Sequence, residues 1–128
     1  MKIDHVAVGS NSEQDADKFF IELLGLQKTR SFTVSADLME KFFDVKNEQP
    51  IVRYGNSSLS FEVFITNNTE KARDNFTHPC LSIENRDEFL NKASSLGFPI
   101  IKVPRKDSDN YYLFIKDLFD NLYEIKEN

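Results

Sequence analysis

Two spacings of apolar residues run through this chain, and they occur in the same order twice. Ile3, Val6 and Val8 belong to a short strand-like run, about Lys2 to Val8. After it, Ala16, Phe19, Phe20, Leu23 and Leu24 recur at i, i+3, i+4, i+7 and i+8, one apolar face of a helix. Ser12 is placed to cap that helix, with Asp15 three residues on as an acidic capping box, and Gly25 supplies a left-handed end. A second strand-like run, His78 to Ile83, leads to Asn85 as N-cap with Glu88 three residues later. Phe89, Ala93 and Leu96 then share a face, and Gly97 ends the helix. Three further runs of strand character follow each helix. They are Gln27 to Thr33, Ile51 to Tyr54 and Leu59 to Ile65 in the first half, and Ile100 to Val103, Tyr111 to Lys116 and Leu122 to Lys126 in the second. Gly55-Asn56 and Asp120-Asn121 provide turn residues before each last strand.

The Leu24-Gly25 and Leu96-Gly97 pairs stand 72 residues apart, so the chain reads as an internal repeat of two βαβββ units. The pattern predicts one α+β domain over 1–128, with module one at 1–66, a polar linker at 67–76 and module two at 77–128. The two modules are expected to pack with pseudo-two-fold symmetry as an open, curved mixed sheet around a cavity. The first half is longer by the segment Ser35 to Pro50, where Leu38, Met39, Phe42 and Phe43 have helical spacing. That segment reads as a short helix over the sheet, with a lid over a pocket as the alternative.

Composition narrows the function classes. A chain of 128 residues that is 40% apolar, with 12 Phe, is long enough to bury a core. A net charge of −5 leaves no broad basic surface for nucleic acid or anionic lipid. No apolar run reaches the length of a membrane span, and Met1-Lys2-Ile3-Asp4 does not open a signal peptide, so the expected location is cytoplasmic. The sequons at Asn56, Asn67 and Asn75 are accordingly expected to go unused. The lone Cys80 forbids an internal disulfide and reads as a small buried hydrophobe.

Only two histidines occur, and they fall at equivalent places in the repeat. His5 and His78 stand 73 residues apart in the opening runs, and each half closes on a strand carrying one glutamate, Glu62 or Glu124. Strand alternation puts Phe61, Val63 and Ile65 on one face and Glu62 on the other, and opposes Glu124 to Tyr123 and Ile125 in the same way. His5 and His78, with Cys80 and Ser82, fall opposite their apolar neighbours. All four groups therefore project from the face not covered by their own helix. Two imidazoles and two carboxylates suit Zn, Ni, Co, Mn or Fe as a divalent ion, with open positions for water or substrate oxygens. Asp4 reads as a surface charge.

These residues resemble the vicinal oxygen chelate superfamily, which includes glyoxalase I, methylmalonyl-CoA epimerase, extradiol dioxygenases and the fosfomycin and bleomycin resistance proteins. The resemblance is carried by Ile3-Asp4-His5-Val6-Ala7-Val8, Phe19-Phe20-Ile21-Glu22-Leu23-Leu24-Gly25-Leu26, Phe61-Glu62-Val63, Thr77-His78 and Asp117-Leu118-Phe119-Asp120-Asn121-Leu122-Tyr123-Glu124. The last run looks like the family's D-P-x-G-N-x-x-E ending, with Leu118 and Asp120 in place of Pro and Gly. The resemblance implies His5, Glu62, His78 and Glu124 as metal ligands, with Glu124 or Glu62 moving a proton, as in glyoxalase I. It implies a small substrate, such as the thiol adduct of a 2-oxoaldehyde, and a homodimer. Arg30 stands where a basic residue often meets the substrate, and Phe64, Tyr112 and Phe114 are candidate substrate contacts, with Tyr111 beside them in an aromatic pocket. Two other classes share the scaffold: a binding or resistance protein without catalysis, and a metal-dependent thiol transferase or oxygenase. The glycine-rich basic loop of glyoxalase I is not recognisable in the run 103–110.

Overall fold

A computed structural model of the chain describes residues 3–72, 76–106 and 108–128. Lys2, expected to begin the first strand, Asn75 of the third sequon and Asp107 of the 103–110 loop lie outside the described residues. The fold is α+β and consists of two βαβββ modules, which divide into compact units at residues 1–70 and 71–128.

In the first module β1 (Val6–Ser10) precedes a helix whose first turn, α1 (Glu13–Ala16), widens into a π-helical segment, Asp17–Leu23. The strands β2 (Gln27–Val34), β3 (Gln49–Gly55) and β4 (Ser60–Ile65) follow, and the sheet order is β1-β4-β3-β2. The first and last strands pair in parallel, and the other neighbours are antiparallel. The second module repeats this with β5 (Cys80–Ile83), a helix at Arg86–Ser95, β6 (Ile100–Pro104), β7 (Tyr111–Lys116) and β8 (Leu122–Glu127), in the order β5-β8-β7-β6. The segment after β2 forms α2 (Ala36–Phe43), so the helix of the second module is α3.

The helix ends follow from local chemistry. The Ser12 hydroxyl accepts from the Asp15 amide at 3.1 Å, the Ser35 hydroxyl from the Leu38 amide at 3.3 Å, and the Asn85 side-chain oxygen Oδ1 from the Glu88 amide at 3.0 Å. Each cap satisfies an amide that has no partner in the first turn. Gly97, at φ +82, ends α3 in a Schellman motif: Phe98 N–H donates to the Ala93 carbonyl and Gly97 N–H to that of Ser94. At the first helix, Gly25 (φ +71) is followed by a Leu26 N–H that reaches back to the Phe20 carbonyl. That closure is one residue wider than in α3, as the π segment requires.

Each helix packs on one face of its own sheet. Phe20 is stacked on Tyr54 at 5.1 Å and lies 5.2 Å from Phe61, with Phe19, Leu23, Val52 and Val63 also buried around them. Ala93, Phe98, Leu113, Ile115, Tyr123 and Ile125 form the corresponding core of module two. The phenol of Tyr54 donates to Asp17 at 2.6 Å, and Asp17 also holds Lys28. Gly55 is required at the β3–β4 hairpin because a Cβ there would lie 2.9 Å from the Leu59 carbonyl oxygen.

The Asp117–Glu124 run turns the chain from β7 into β8. The buried Asp117 carboxylate accepts from the amides of Phe119 and Asn121, from the Asn121 side chain and from the Tyr123 phenol. Asp120 takes the left-handed conformation, at φ +63, that Gly would adopt freely. The Asp and Asn of this motif therefore build the turn that sets the register of Glu124. Burial pushes the Asp117 pKa up to about 6, against the pull of its four donors. The folded state then prefers the protonated acid, so this group stabilises fully near pH 4, and the contribution fades as the pH rises to about 6. We expect Asp117→Ala to cost about 2–4 kcal/mol near pH 4. The deficit should narrow as the pH rises through 6, and urea denaturation of both proteins from pH 4 to 7 measures it.

Candidate metal-binding residues

The parallel strand pair fixes where each histidine meets its glutamate. In module one Ala7 of β1 pairs with Glu62 of β4, and in module two Cys80 of β5 pairs with Glu124 of β8. His5 and His78 each stand two residues before that partner, so they take the same face of the sheet as the glutamate. Neither histidine lies inside its strand: β1 begins at Val6 and β5 at Cys80. His5 Nε2 is 3.7 Å from Glu62 Oε2, and His78 Nε2 is 3.6 Å from Glu124 Oε2. The repeat inferred from sequence spacing is thus a repeat of geometry within each module.

Both imidazoles are oriented through their other nitrogen. His78 Nδ1 lies 2.8 Å from the Phe76 carbonyl oxygen, which can only accept, so Nδ1 carries a proton, and in the neutral ring Nε2 presents its lone pair to Glu124. His5 Nδ1 lies 3.0 Å from Asp4 Oδ2, and the same argument turns its Nε2 lone pair toward Glu62. With both rings neutral, each module turns an imidazole lone pair toward a carboxylate oxygen 3.7 or 3.6 Å away, too far for a hydrogen bond, and two such donors suit a cation. An imidazole whose far N–H is held by a carboxylate or a carbonyl is the usual arrangement of a metal-ligating histidine. The donor set therefore fits a divalent ion. Among the described residues, no group of three or more His, Cys, Asp or Glu gathers as a metal site.

The surroundings of the two glutamates differ. Arg53 of β3 is in register with Glu62, and its Nη1 lies 4.0 Å from Glu62 Oε1. The same guanidinium donates from Nη2 to Asp4 Oδ2 at 2.7 Å and from Nε to the Ser60 hydroxyl at 2.7 Å. The His5 and Arg53 donors hold the Asp4 carboxyl below the usual carboxylate range. In module two the register partner of Glu124 is Phe114, and its ring stands edge-on to the His78 imidazole at 5.4 Å. Lys126 Nζ lies 3.8 Å from Glu124 Oε1.

The remaining sequence candidates divide by face. Arg30 and Phe32 of β2 are in register with Arg53 and Ile51, on the open face of the first sheet, where the Arg30 guanidinium lies 4.3 Å over the Phe32 ring. Phe64 shares the Glu62 face and is covered edge-on by Phe43 of α2 at 5.5 Å. Tyr112 and Phe114 share the Glu124 face, and Arg105 lies 4.3 Å over the exposed Tyr112 ring. Tyr111 does not join them. Strand alternation turns it with Leu113 and Ile115 toward the helix side, where Arg86 lies 3.9 Å and Lys102 4.1 Å from its ring. One further expectation is corrected. Cys80 is exposed rather than buried, because β5 is an edge strand and the thiol shares the His78 face. Asp4 is the exposed surface charge expected, and in addition it lies against His5 Nδ1. Arg53 was missed; its sequence signal is a lone cation between Val52 and Tyr54, the one charged residue of β3.

No protein-family model matches the chain, and no curated protein matches it. Solved structures do. A glyoxalase family protein from Enterococcus faecalis is 18% identical, with a TM-score of 0.71 over 97% of this chain and 95% of that one. One from Bacillus cereus is 14% identical, with a TM-score of 0.74 over 99% and 93%. A mutant of the fosfomycin resistance protein FosX from Listeria monocytogenes, complexed with Mn(II) and a dihydroxypropylphosphonic acid, is 12% identical, with a TM-score of 0.71 over 98% and 88%. The chain has the vicinal oxygen chelate fold. In this fold's two modules the His–Glu pairs occupy matching strand positions, and no helix among the described residues is long and apolar enough to cross a membrane.

The Phe76 carbonyl sets the tautomer of His78. Long-range proton–nitrogen spectra of metal-free protein near pH 8 should show His78 protonated at Nδ1. An Nε2–H signal for that ring would contradict the orientation described.

Proposed function

We propose that the protein is a metal-dependent lyase or isomerase of the glyoxalase type, with His5, Glu62, His78 and Glu124 as the ligands of one divalent ion. The observation that carries this reading is the matched pair of imidazole–carboxylate contacts, 3.7 Å in one module and 3.6 Å in the other, with both imidazoles held from behind. The ion, drawn from Zn, Ni, Co, Mn and Fe, would serve as a Lewis acid for a carbonyl and an adjacent hydroxyl of a small substrate. Mn(II) in the FosX complex supports a divalent ion on this scaffold. The reading takes the protein as a cytoplasmic homodimer.

The chain's own residues supply the acid–base step. A carboxylate that accepts a proton from one carbon and returns it to the next needs a free lone pair and room to move. Each glutamate has a cation beside it, but the two differ in how firmly they are held. Glu124 faces the Phe114 ring across the sheet and has the exposed Lys126 Nζ 3.8 Å from its Oε1, whereas Glu62 faces the Arg53 guanidinium at 4.0 Å, itself anchored on Asp4 and Ser60. Glu124 has the greater freedom and is therefore assigned as the principal base, with Glu62 as the more firmly held ligand. Tyr112 and Phe114 offer an apolar surface beside Glu124, and Arg30 and Phe64 line the open face of the first module. Thiol adducts of 2-oxoaldehydes are the first substrates to assay, with thiol addition to an epoxide as the comparison.

The test is metal content followed by turnover. We expect about one equivalent of divalent metal per chain after reconstitution, measured by elemental analysis, and loss of that metal in His5→Ala and His78→Ala. Glu124→Gln should cut kcat for hemithioacetal isomerisation by roughly 10²–10⁴-fold while the protein stays folded. A reconstituted wild-type protein that holds no transition metal sinks the reading.

A further inference from the structure

We propose that Arg53 is the positioning residue of the His5–Glu62 half of the site, and that through it the two halves bind a metal unequally. The inference rests on the metal-site reading above. A single guanidinium reaches both donors of the first half. Through Nη2 it anchors Asp4 Oδ2 at 2.7 Å, and the same oxygen lies 3.0 Å from His5 Nδ1. Through Nη1 it faces Glu62 Oε1 at 4.0 Å, on the carboxylate edge away from the Oε2 that looks toward His5. Its Nε is tied to Ser60 at 2.7 Å, so the fork itself is fixed from behind. Four side chains on one sheet face thus hang from one planar cation whose donors point in set directions.

The second half is built differently. Strand register places Phe114 where Arg53 stands, the cation beside Glu124 is the exposed Lys126 at 3.8 Å, and His78 is held by a main-chain carbonyl rather than by a carboxylate. Asp4 is well exposed, so its hold on His5 depends on Arg53 fixing it in place. Without the guanidinium, the Asp4 side chain loses its only other anchor among the described residues, and the His5 ring gains rotational freedom. The His78 ring, in a different module with its own partner, does not.

A fixed cation beside a metal site also repels the incoming ion, and this opposite effect gives the experiment its decision. Arg53→Met keeps the stem length and removes the fork, Arg53→Lys keeps the charge alone, and Ser60→Ala loosens the fork. We expect Arg53→Met to weaken Co(II) or Zn(II) binding 10–100-fold in a chelator competition, with Arg53→Lys recovering less than half of that loss on a logarithmic scale. Ser60→Ala should fall between the wild type and Arg53→Met. Unchanged or tighter binding in Arg53→Met overturns the proposal, because repulsion would then outweigh positioning.

A second readout needs no metal. The chain contains only two imidazoles, so the nitrogen spectrum of metal-free protein reports each separately. In Arg53→Met, His5 should move from a single Nδ1–H form toward a mixture of tautomers, while the His78 signals stay in place and certify the fold. An unchanged His5 overturns the proposal. If the wild-type protein binds no metal and His5 still loses its tautomer preference in Arg53→Met, the positioning role stands and the metal-dependent reading falls.

Discussion

In each module the strand that opens the βαβββ unit pairs in parallel with the strand that ends it, and no tight turn can make such a pairing. A helix and two intervening strands must carry the chain back, so the opening and closing strands meet only when the whole unit is folded. The register of that pair, Ala7 with Glu62 and Cys80 with Glu124, sets the face of every donor. A slip of one residue would turn Glu62 inward against the rings of Phe20 and Tyr54 and turn Phe61 out to the open face. The apolar core thus holds the polar face in register. Burial of Phe61, Val63 and Ile65 on one side of β4 is what keeps Glu62 on the other.

Much of this was legible because it is local. Caps at Ser12 and Asn85, glycines past the helix ends, and strand parity each depend on a few neighbouring residues, and all are found where the pattern placed them. Strand ends moved by a residue or more. β1 extends to Ser10 because its pairing with β4 runs on to Ile65, and pairing across 55 residues leaves no mark on the local pattern. The same blindness hid Arg53 and Asp4. Their contact spans 49 residues, and neither looks unusual beside its sequence neighbours. Cys80 misled for another reason. Its small apolar side chain suits a core, but its strand lies at the sheet edge with the thiol on the open face.

The run from Asp117 to Glu124 separates what a motif does from what a motif is known for. Of its recurring acidic and amide residues, only Glu124 faces the candidate site. Asp117 and Asn121 spend their hydrogen bonds on the turn and on the Tyr123 phenol. The departures from Pro and Gly are tolerable on physical grounds. Asp120 adopts the left-handed backbone at a modest cost, since its short side chain can bond locally, and the turn is already secured by four donors to Asp117. Replacing two motif residues therefore leaves Glu124 in the same register with Cys80 and Phe114.

Shared register is also why fold likeness stops short of a reaction. Both glutamates occupy the same backbone position, yet one faces a guanidinium and the other a phenyl ring. The guanidinium at 4 Å is anchored on Asp4 and Ser60 and holds its carboxylate in place, whereas the phenyl ring offers no such anchor and the cation beside Glu124 is the exposed Lys126. A single side chain across the strand can therefore change a carboxylate's surroundings without moving the main chain. Neighbours at 12–18% identity share the main chain, and a shared main chain leaves cross-strand residues free to differ. Arg53 on β3 and Phe114 on β7 are thus where the two modules of this chain part chemically, although their glutamates hold one backbone position.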